Sequence, residues 1–526
     1  MLFIKKREEK LIKIFSISII LVLGFFLRIY LIDSIPSGFF CDEASIGYNA
    51  FTILTKGVDE FGKSFPIFFR ALGDYKNPVE IYSTVPFVAL FGLNEFSVRL
   101  ASALFGIFSI LAIYLLCKEM FRKSDGKYYI ALFSAFFLAI SPWHIQFSRV
   151  SLEGLTAFVF FTTIGTYFFL KARKNKNFLL LSVFLFILAI YSYFPARIFI
   201  PLFLLGLFVT FRKFLFKNIK FLFLSIFLFI CFLSPLIYSM LFQSGLSRWQ
   251  QVNIFTNPPH NENIFSHMIN NYLSHFSPDF LFLTGASGMT NQFITRFSVN
   301  GIGELYSLQS VLIILALIYL WKKRQKQVFS ILILWLLLYP VGTLFTADKI
   351  VQPTRSIIGV LPFQILSGLG LYYLLRLILK LKKPARALCV TILVLIIEFS
   401  FLNYFDLYFN QYAYYSSGYW GWQYGAKKIV NFFSQNEYKY DQLVMAPEFN
   451  SPGIFFKFYA PNNCSKCYVG LPDNYYNSSS KQLFAVTPSY LETYLLKQQM
   501  LKFENLETIY YPNGAVAFKL GKFIQK

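Results

Sequence analysis

Two adjacent carboxylates follow the first long apolar segment of the chain. Asp42 and Glu43 stand between Cys41 and Ala44, and the residues after them predict the start of a helix. Carboxylates close to hydrocarbon are costly unless they do chemistry or have partners. The alternative is a solvated helix N-terminus, where the helix dipole favours acidic side chains. Composition alone leaves both interpretations open.

Further charged residues are predicted on the same side of the membrane, several of them at the ends of apolar segments. They are Asp59, Glu60, Asp74, Lys76, Glu80, Arg149, Glu153, Arg197, Asp348, Lys349 and Arg355. Each of them, taken alone, is more often an interfacial anchor than a functional residue. Gathered on one face, however, they would line a cavity that combines carboxylates with several cations. Such a cavity suits a phosphate-bearing ligand.

Histidines and cysteines give weaker signals. His267 or His275, together with Asp279, are the candidates for a divalent cation, but their spacing fits no defined metal motif. Ordinary loop histidines are therefore the preferred interpretation, as they are for His144 and His260. In Cys464-Ser-Lys-Cys467 a zinc or redox motif lacks a second pair, so a local disulfide or two inert thiols is preferred.

Composition identifies the class of protein. Of 526 residues 56% are hydrophobic and 14% charged, the mean hydropathy is +0.52 and the formal net charge is +23. Soluble domains carry roughly a quarter charged residues, so a soluble enzyme is excluded. The basic residues occur in short clusters between long apolar runs, which is typical of a protein with many membrane spans and not of a nucleic-acid-binding protein.

The basic clusters also predict how the chain threads through the membrane. A basic N-terminus precedes an uncleaved first span at about 14–31, which places the first loop, 32–96, outside. The short segment at about 79–93 contains a Glu and a Pro, and we interpret it as an interfacial helix. Later spans are then expected at 97–117, 128–142, 154–170, 178–194, 198–211, 221–241, 305–321, 327–346, 356–379 and 387–404. With this threading of about eleven spans, five basic clusters stay in the cytoplasm with the N-terminus.

The chain after the last predicted span is more polar. We expect a membrane region at 1–404, with a long outer loop at 242–304, and an extracytoplasmic α/β domain at 405–526. Within that domain the sequence predicts helices at 420–433 and 488–501 and strands at 442–446 and 453–459. It also predicts a hairpin that turns at Asn513-Gly514.

Four short motifs in order resemble a known family. They are Asp42-Glu43-Ala44, Tyr75-Lys-Asn-Pro78, Phe91-Gly-Leu-Asn-Glu-Phe-Ser-Val-Arg99 and Ser141-Pro-Trp-His-Ile-Gln-Phe-Ser-Arg149. Together they resemble glycosyltransferase family 39, which includes the protein O-mannosyltransferases, and the related lipid A aminoarabinose transferases. The resemblance implies an all-α polytopic GT-C fold. It also implies transfer of a single sugar from a polyprenyl-phosphate donor at the outer membrane face.

The resemblance carries over site residues as well. Asp42 takes the position of the family's catalytic acid, with Glu43 as its neighbour, and inversion at the sugar is expected. A carboxylate can accept the proton of an acceptor hydroxyl, and the departing phosphate needs cations. The candidates for binding the donor phosphate are Lys76, Asn77, Arg149, Arg197 and Arg355. Asn77 stands where relatives often have a lysine. Other active-site candidates are Asp59, Tyr75, His144 and Glu304.

Two other functions compete with this one. A flippase for lipid-linked sugars would also use outward arginines, but it should show broken helices, charges near the membrane midplane or repeated halves. A glycan polymerase or ligase would differ only in its substrates. The expected partners are the lipid-linked donor, the bilayer and a protein, lipid or glycan acceptor, with no nucleic acid. No cofactor is required, and the expected location is the plasma (inner) membrane with the N-terminus in the cytoplasm.

Overall fold

The computed structural model describes residues 2–242, 247–258, 263–289, 292–348, 351–461 and 464–526. His260 and Lys349, which the sequence analysis names, lie outside these ranges. The described chain is mostly helical and ends in a small domain built on a sheet. The predicted fold class, a helical polytopic protein with a C-terminal α/β domain, is confirmed.

The helical part runs from the N-terminus to residue 416. Its α-helices are α1 (Leu2–Ile29), α2 (Cys41–Lys56), α3 (Pro78–Phe91), α4 (Glu95–Met120), α5 (Lys127–Ile140), α6 (Pro142–Ser148), α7 (Leu155–Lys171), α8 (Phe178–Ile190), α9 (Ala196–Lys217), α10 (Ile219–Phe242), α11 (Ser247–Val252), α12 (Ile264–Ser274), α13 (Ser307–Lys322), α14 (Lys326–Leu338), α15 (Val341–Leu344), α16 (Val360–Ile378), α17 (Lys383–Asp406) and α18 (Ala413–Ser416). Short π or 3₁₀ turns lie at Asp279–Leu283, Ala286–Gly288, Ile357–Gly359 and Leu407–Gln411.

Each predicted span coincides with a helix or a pair of helices. In the described residues, seven helices are long and apolar enough to cross a membrane, or eight if the pair α5 and α6, bent by 58°, forms one span. The remaining predicted spans are the shorter apolar helices α7, α8 and α13. The segment predicted to lie along the interface is α3. The chain is therefore a multi-pass membrane protein, while its orientation stays a prediction.

The loop between α2 and α3 contains a hairpin that was not predicted from the sequence. Strand β1 (Phe69–Ala71) pairs antiparallel with β2 (Asp74–Lys76). Leu72 and Gly73 between them have φ of +53° and +77°, as a tight two-residue hairpin turn requires. Strand β2 ends at Lys76, and α3 begins two residues later with Pro78 in its first turn. The hairpin therefore sets the position of Lys76 relative to α2.

The tail domain, which follows α18, is built on a five-stranded mixed sheet of order β4-β3-β5-β7-β6. Strands β4 and β5 run parallel to β3, whereas β7 runs antiparallel to both β5 and β6. The strands are β3 (Gln442–Met445), β4 (Cys467–Val469), β5 (Gln482–Val486), β6 (Leu501–Tyr510) and β7 (Val516–Gln525). The helices are α19 (Ala426–Asn436), α20 (Gly453–Tyr459), α21 (Pro472–Tyr475) and α22 (Pro488–Lys497). A 3₁₀ turn lies at Glu437–Lys439.

Two predictions for the tail domain were wrong in detail. The predicted strand at 453–459 is the helix α20, because Ile454, Phe455 and Phe458 are buried together on one helical face, and packing overrides the β-propensity of Phe. The helix predicted from 420 begins only at Ala426, after Gly425 with φ of +113°. The predicted hairpin is confirmed, since Tyr511 and Ala515 close its turn. Cys464 and Cys467 form a disulfide.

Candidate active site

Asp42 lines a cavity of about 130 Å³ that opens beside the first turn of α2. The segment between α6 and α7, the start of α9 and the loop before α16 form the other walls. The polar lining includes Asp42, Glu153, Arg296 and Arg355, and the apolar lining is largely aromatic. The cavity thus combines two carboxylates with two guanidinium groups, and most of these residues are far apart in the chain.

Lys76 joins the two carboxylates. Its Nζ donates to Asp42 Oδ1 at 2.9 Å and to Glu153 Oε1 at 3.3 Å. The lysine side chain is 8% exposed, and those of Asp42 and Glu153 are 19% and 24% exposed. Burial lowers the pKa of Lys76, but the two carboxylates outweigh that effect, and its pKa lies above the ordinary value. Lys76 is therefore charged, and it places a positive charge directly beside Asp42.

Glu43 faces away from this cluster and into the protein. It is fully buried and forms a two-point ion pair with Arg99 of α4, with N–O distances of 2.8 and 3.0 Å. Its oxygens also accept from the backbone N–H groups of Phe40 and Ser151, each at 3.1 Å. Arg99 donates in addition to three carbonyls of the segment before α2, including that of Gly38. Glu43 and Arg99 thus fix the start of α2.

Two of the predicted phosphate-binding residues meet at the edge of the Lys76 cluster. Arg197, in the first turn of α9, donates from Nη2 to Oδ1 of Asn77 at 2.8 Å. Its guanidinium also lies over the rings of Phe68 and Phe194. Since Asn77 directly follows Lys76, this contact connects α9 to the loop that carries the lysine. Tyr75, also a candidate, is half-buried in β2.

Two arginines lie on the cavity wall. Arg355 pairs with Asp348 at 2.8 Å. Arg296 stacks its guanidinium over Phe40 at 4.2 Å from the ring centroid and donates to the Trp420 carbonyl. Burial lowers the pKa of Arg296, while the Asp42 carboxylate raises it. The interaction with Asp42 indicates that Arg296 contributes positive charge to the same cavity.

The structure does not place Arg149 or His144 at the cavity. Arg149 is buried and donates to the carbonyls of Leu27, Tyr30, Leu31 and Ile35 at the end of α1. His144 is buried against Arg28, with 2.7 Å between its Nδ1 and Nη2 of the arginine. Through these contacts, both residues hold together the elements that pack around α1.

The rest of the motif at 141–149 also positions other elements. Trp143 donates from its indole to the carbonyl of Pro353, two residues before Arg355. Gln146 donates to the carbonyl of Arg296 itself. The bend between α5 and α6 therefore supports both loops that bring arginines to the cavity.

Asp59 and Glu304 lie apart from the cavity lining. Asp59 is buried and accepts from the backbone N–H groups of Phe61 and Lys63, so it braces its own loop. Glu304 is 2% exposed, and its Oε1 has no hydrogen-bond partner among the described residues. Burial raises the pKa of Glu304 well above its ordinary value, against the opposing effect of the Ala286 backbone.

The histidines are not gathered into a metal site. Among the described residues, no three His, Cys, Asp or Glu side chains lie close enough together to hold a metal ion. His275 is buried, and its Nδ1 contacts the carbonyl of Asn271 at 2.8 Å. Burial lowers the pKa of His275 to about 4. His267 is also buried, whereas Asp279 is exposed.

Sequence reasoning missed three residues of this region. Arg99 entered only as part of a motif, Glu153 only as one of the gathered charges, and Arg296 not at all. Arg296 lies in a long loop with no recognisable pattern around it, so only the folded chain brings it to Asp42. Glu153 carried one local signal in the sequence, the glycine that directly follows it. In the structure, Glu153 and Gly154 both have positive φ.

Comparisons with known proteins agree with this architecture. Residues 76–238 match the family described as dolichyl-phosphate-mannose-protein mannosyltransferase. The structure is similar to ArnT from Cupriavidus metallidurans bound to undecaprenyl phosphate, with a TM-score of 0.58 and 12% identity over 96% of this chain and 97% of that one. The chain has a GT-C fold. No curated protein sequence matches it.

A second group of similar structures comes from an archaeon. The Archaeoglobus fulgidus oligosaccharyltransferase tethered with an acceptor peptide has a TM-score of 0.54 and 12% identity, over 96% of this chain and 74% of that one. The oligosaccharyltransferase AglB from the same organism, in complex with an inhibitory peptide and a dolichol-phosphate, also matches with a TM-score of 0.54 and 12% identity, over 97% of this chain and 74% of that one. The fold and the family match together indicate a membrane glycosyltransferase, as the sequence motifs suggested.

Proposed function

We propose that the chain transfers a single sugar from a polyprenyl-phosphate donor to an acceptor hydroxyl at the outer face of the membrane, with inversion. One observation carries this proposal. Asp42 lines a cavity whose wall carries two arginines, and Lys76 pairs with Asp42 beside that cavity. This combination provides a base for the acceptor and counter-charges for a phosphate.

The donor class has independent support. The similar ArnT structure holds undecaprenyl phosphate, and a similar AglB structure holds dolichol-phosphate. The description of the family that matches residues 76–238 names dolichyl-phosphate mannose, a donor that carries one sugar. Long prenyl chains suit a site formed between membrane helices. The acceptor is a protein, a lipid or a glycan.

The proposed reaction is a single displacement. Asp42 accepts the proton of the acceptor hydroxyl while its oxygen attacks the anomeric carbon of the donor. The bond between that carbon and the phosphate oxygen breaks, and polyprenyl phosphate leaves with both bonding electrons. Lys76, Arg296 and Arg355 stabilise the charge that develops on the phosphate. Attack opposite the leaving group inverts the anomeric configuration.

Arg197 and Asn77 have a supporting role in this proposal. Their hydrogen bond leaves the amide N–H₂ of Asn77 as a donor for a phosphate oxygen. Arg149, Asp59, His144 and Glu304 are not assigned to substrate. Glu43 is assigned to positioning of Asp42, because its carboxylate is fully used by Arg99 and the backbone.

Transfer of a radiolabelled sugar from synthetic polyprenyl-phosphate monosaccharides tests the function. The purified protein is compared with Asp42→Asn, and Asp125→Asn is the matched control because Asp125 is exposed beyond the other end of α4. Removing a general base lowers turnover by roughly 100-fold or more, with donor binding retained and Asp125→Asn unchanged. If the protein binds donors and equilibrates them across liposomes without turnover, it is a flippase and the proposal is wrong.

A further inference from the structure

A second cavity, of about 230 Å³, lies between the first outer loop and the tail domain. The short segment Gly38–Phe40 separates it from the first cavity. Phe39 lines the second cavity, and Phe40 lines the first. Neighbouring side chains of an extended segment point to opposite sides, so one strip of backbone forms a wall of both cavities.

Gln423 lines the second cavity and has unused hydrogen-bonding groups. The residue is 2% exposed, and neither its Nε2 nor its Oε1 has a hydrogen-bond partner among the described residues. A buried amide without partners costs free energy. Its φ of +55° is also uncommon for a residue other than glycine. The missing partners of the amide are explained if it is kept for a group that enters the cavity.

The other polar groups of this cavity nearly cancel in charge. Glu95 is buried and already paired, since it accepts from Lys427 Nζ at 3.0 Å and from the Tyr459 hydroxyl at 2.9 Å. Asp33 and Lys428 lie at the exposed rim. The lining therefore carries two acidic and two basic residues. An ion of either sign gains little there, which favours an uncharged ligand.

The chemistry of the lining narrows the class of ligand further. An amide both donates and accepts hydrogen bonds, and carboxylate oxygens and hydroxyls stand beside it. Aromatic side chains, among them Phe39 and Tyr424, supply apolar surface. A ligand with many neutral hydroxyl groups and apolar C–H faces matches both features.

We propose that this second cavity binds one uncharged sugar unit, with the Gln423 amide as its central hydrogen-bonding group. Assigning that sugar to the acceptor rests on the proposed function, whereas sugar binding itself does not. The acceptor would then be a glycan or glycolipid that is recognised on one side of the Gly38–Phe40 segment and glycosylated on the other.

Binding of simple glycosides to the full-length protein in nanodiscs tests this proposal. Saturation-transfer NMR with methyl α-mannoside, methyl β-glucoside and methyl β-N-acetylglucosaminide is applied to the unchanged protein and to Gln423→Leu. Losing the amide hydrogen bonds should weaken the bound glycoside by about tenfold or more. Gln498→Leu, an exposed site in the same domain, is the matched control. Gln423→Glu, which keeps an acceptor, should lose less and serves if the leucine variant does not fold.

Three outcomes would overturn the proposal. They are no glycoside binding by the unchanged protein, equal binding by Gln423→Leu, and binding that is lost in Asp42→Asn instead, which would place the sugar in the first cavity. Water alone in the second cavity corresponds to the first of these outcomes. If glycosides bind through Gln423 while no donor is turned over, this inference stands and the proposed transferase function fails.

Discussion

At the scale of single residues, Asp42 and Glu43 show how neighbours in sequence acquire different roles. Asp42 reaches a cavity and contacts one lysine, whereas Glu43 is enclosed by Arg99 and two backbone N–H groups. In the first turn of a helix, consecutive side chains diverge by about 100°. A pair of adjacent carboxylates can therefore supply one group for chemistry and one for positioning.

Replacing Glu43 with Gln should destabilise the protein. The change leaves the buried Arg99 without its counter-charge, and breaking such a pair costs about 3–5 kcal/mol. A lower apparent melting temperature in detergent measures the effect, with Asp42→Asn as the comparison that should lose much less. A Glu43→Gln protein of full stability and no activity would instead assign Glu43 a direct chemical role.

Replacing Lys76 with Gln should weaken the use of donor. Loss of the ammonium removes a charge-assisted contact to the phosphate, and we expect kcat/KM to fall by about 10- to 100-fold. Steady-state transfer kinetics measure it, and Lys123→Gln, exposed between α4 and α5, is the control. Unchanged kinetics in Lys76→Gln would leave the phosphate to the arginines alone.

Glu304 should make the stability of the protein depend on pH. Burial raises its pKa in the folded protein, so from about pH 4.5 upward the folded state keeps a proton that the unfolded state has lost. Folding is then progressively disfavoured as pH rises. Glu304→Gln resembles the protonated acid. Its melting temperature should exceed that of the unchanged protein by more at pH 8 than at pH 5. An equal difference at both pH values would contradict this assignment.

At the scale of elements, helix α2 is held between the membrane region and the tail domain. A Cβ on Gly47 would lie 2.5 Å from the ring of Phe458 in α20 and 2.6 Å from Val98 in α4. Lys457 and Glu60 add an ion pair at 2.9 Å across the same contact. The tail domain therefore takes part in positioning the helix that carries Asp42.

Gly47→Ala tests this contact. An added methyl group has no room, and overpacking of this kind costs about 1–3 kcal/mol. We expect lower stability and a lower kcat, because α2 must shift. Gly453→Ala, on α20 itself, meets nothing within 4 Å and is the matched control. Partial recovery in the double variant with Phe458→Leu would assign the effect to this contact, and a harmless Gly47→Ala would refute it.

At the scale of the whole molecule, the charge pattern predicts the orientation in the membrane. The helices coincide with the predicted spans, but the fold alone does not distinguish inside from outside. The lysine- and arginine-rich turns are expected to remain in the cytoplasm, which predicts that the Asp42 cavity and the tail domain lie on the outer side. The proposed chemistry requires the same orientation.

Labelling with a membrane-impermeant thiol reagent tests the orientation. A cysteine at the exposed Ser479 of the tail domain should react in intact cells, and one at the exposed Asn175 between α7 and α8 should react only after permeabilisation. The reverse pattern would place the candidate site in the cytoplasm and contradict the proposed location of the reaction.

Much of the architecture follows from the sequence alone. Long apolar runs and the Asn513-Gly514 turn are local patterns, and each specified its element correctly because hydrophobic burial and turn geometry act over a few residues. The motifs likewise indicated the fold, and the role that they imply for Asp42 stays a prediction. The same local patterns failed at α20, whose helical form depends on what it packs against.

Only the tertiary structure decided how the site is assembled. Lys76 reaches Asp42 through an unpredicted hairpin, and Arg296 reaches it from a loop more than two hundred residues away. Arg149 looked equally suited to a phosphate, yet it is used by the carbonyls of α1. A side chain's partner depends on distances across the fold, and electrostatic and hydrogen-bond energies fall steeply with distance. The sequence therefore determined which groups were present, and the packing of the helices determined which of them meet.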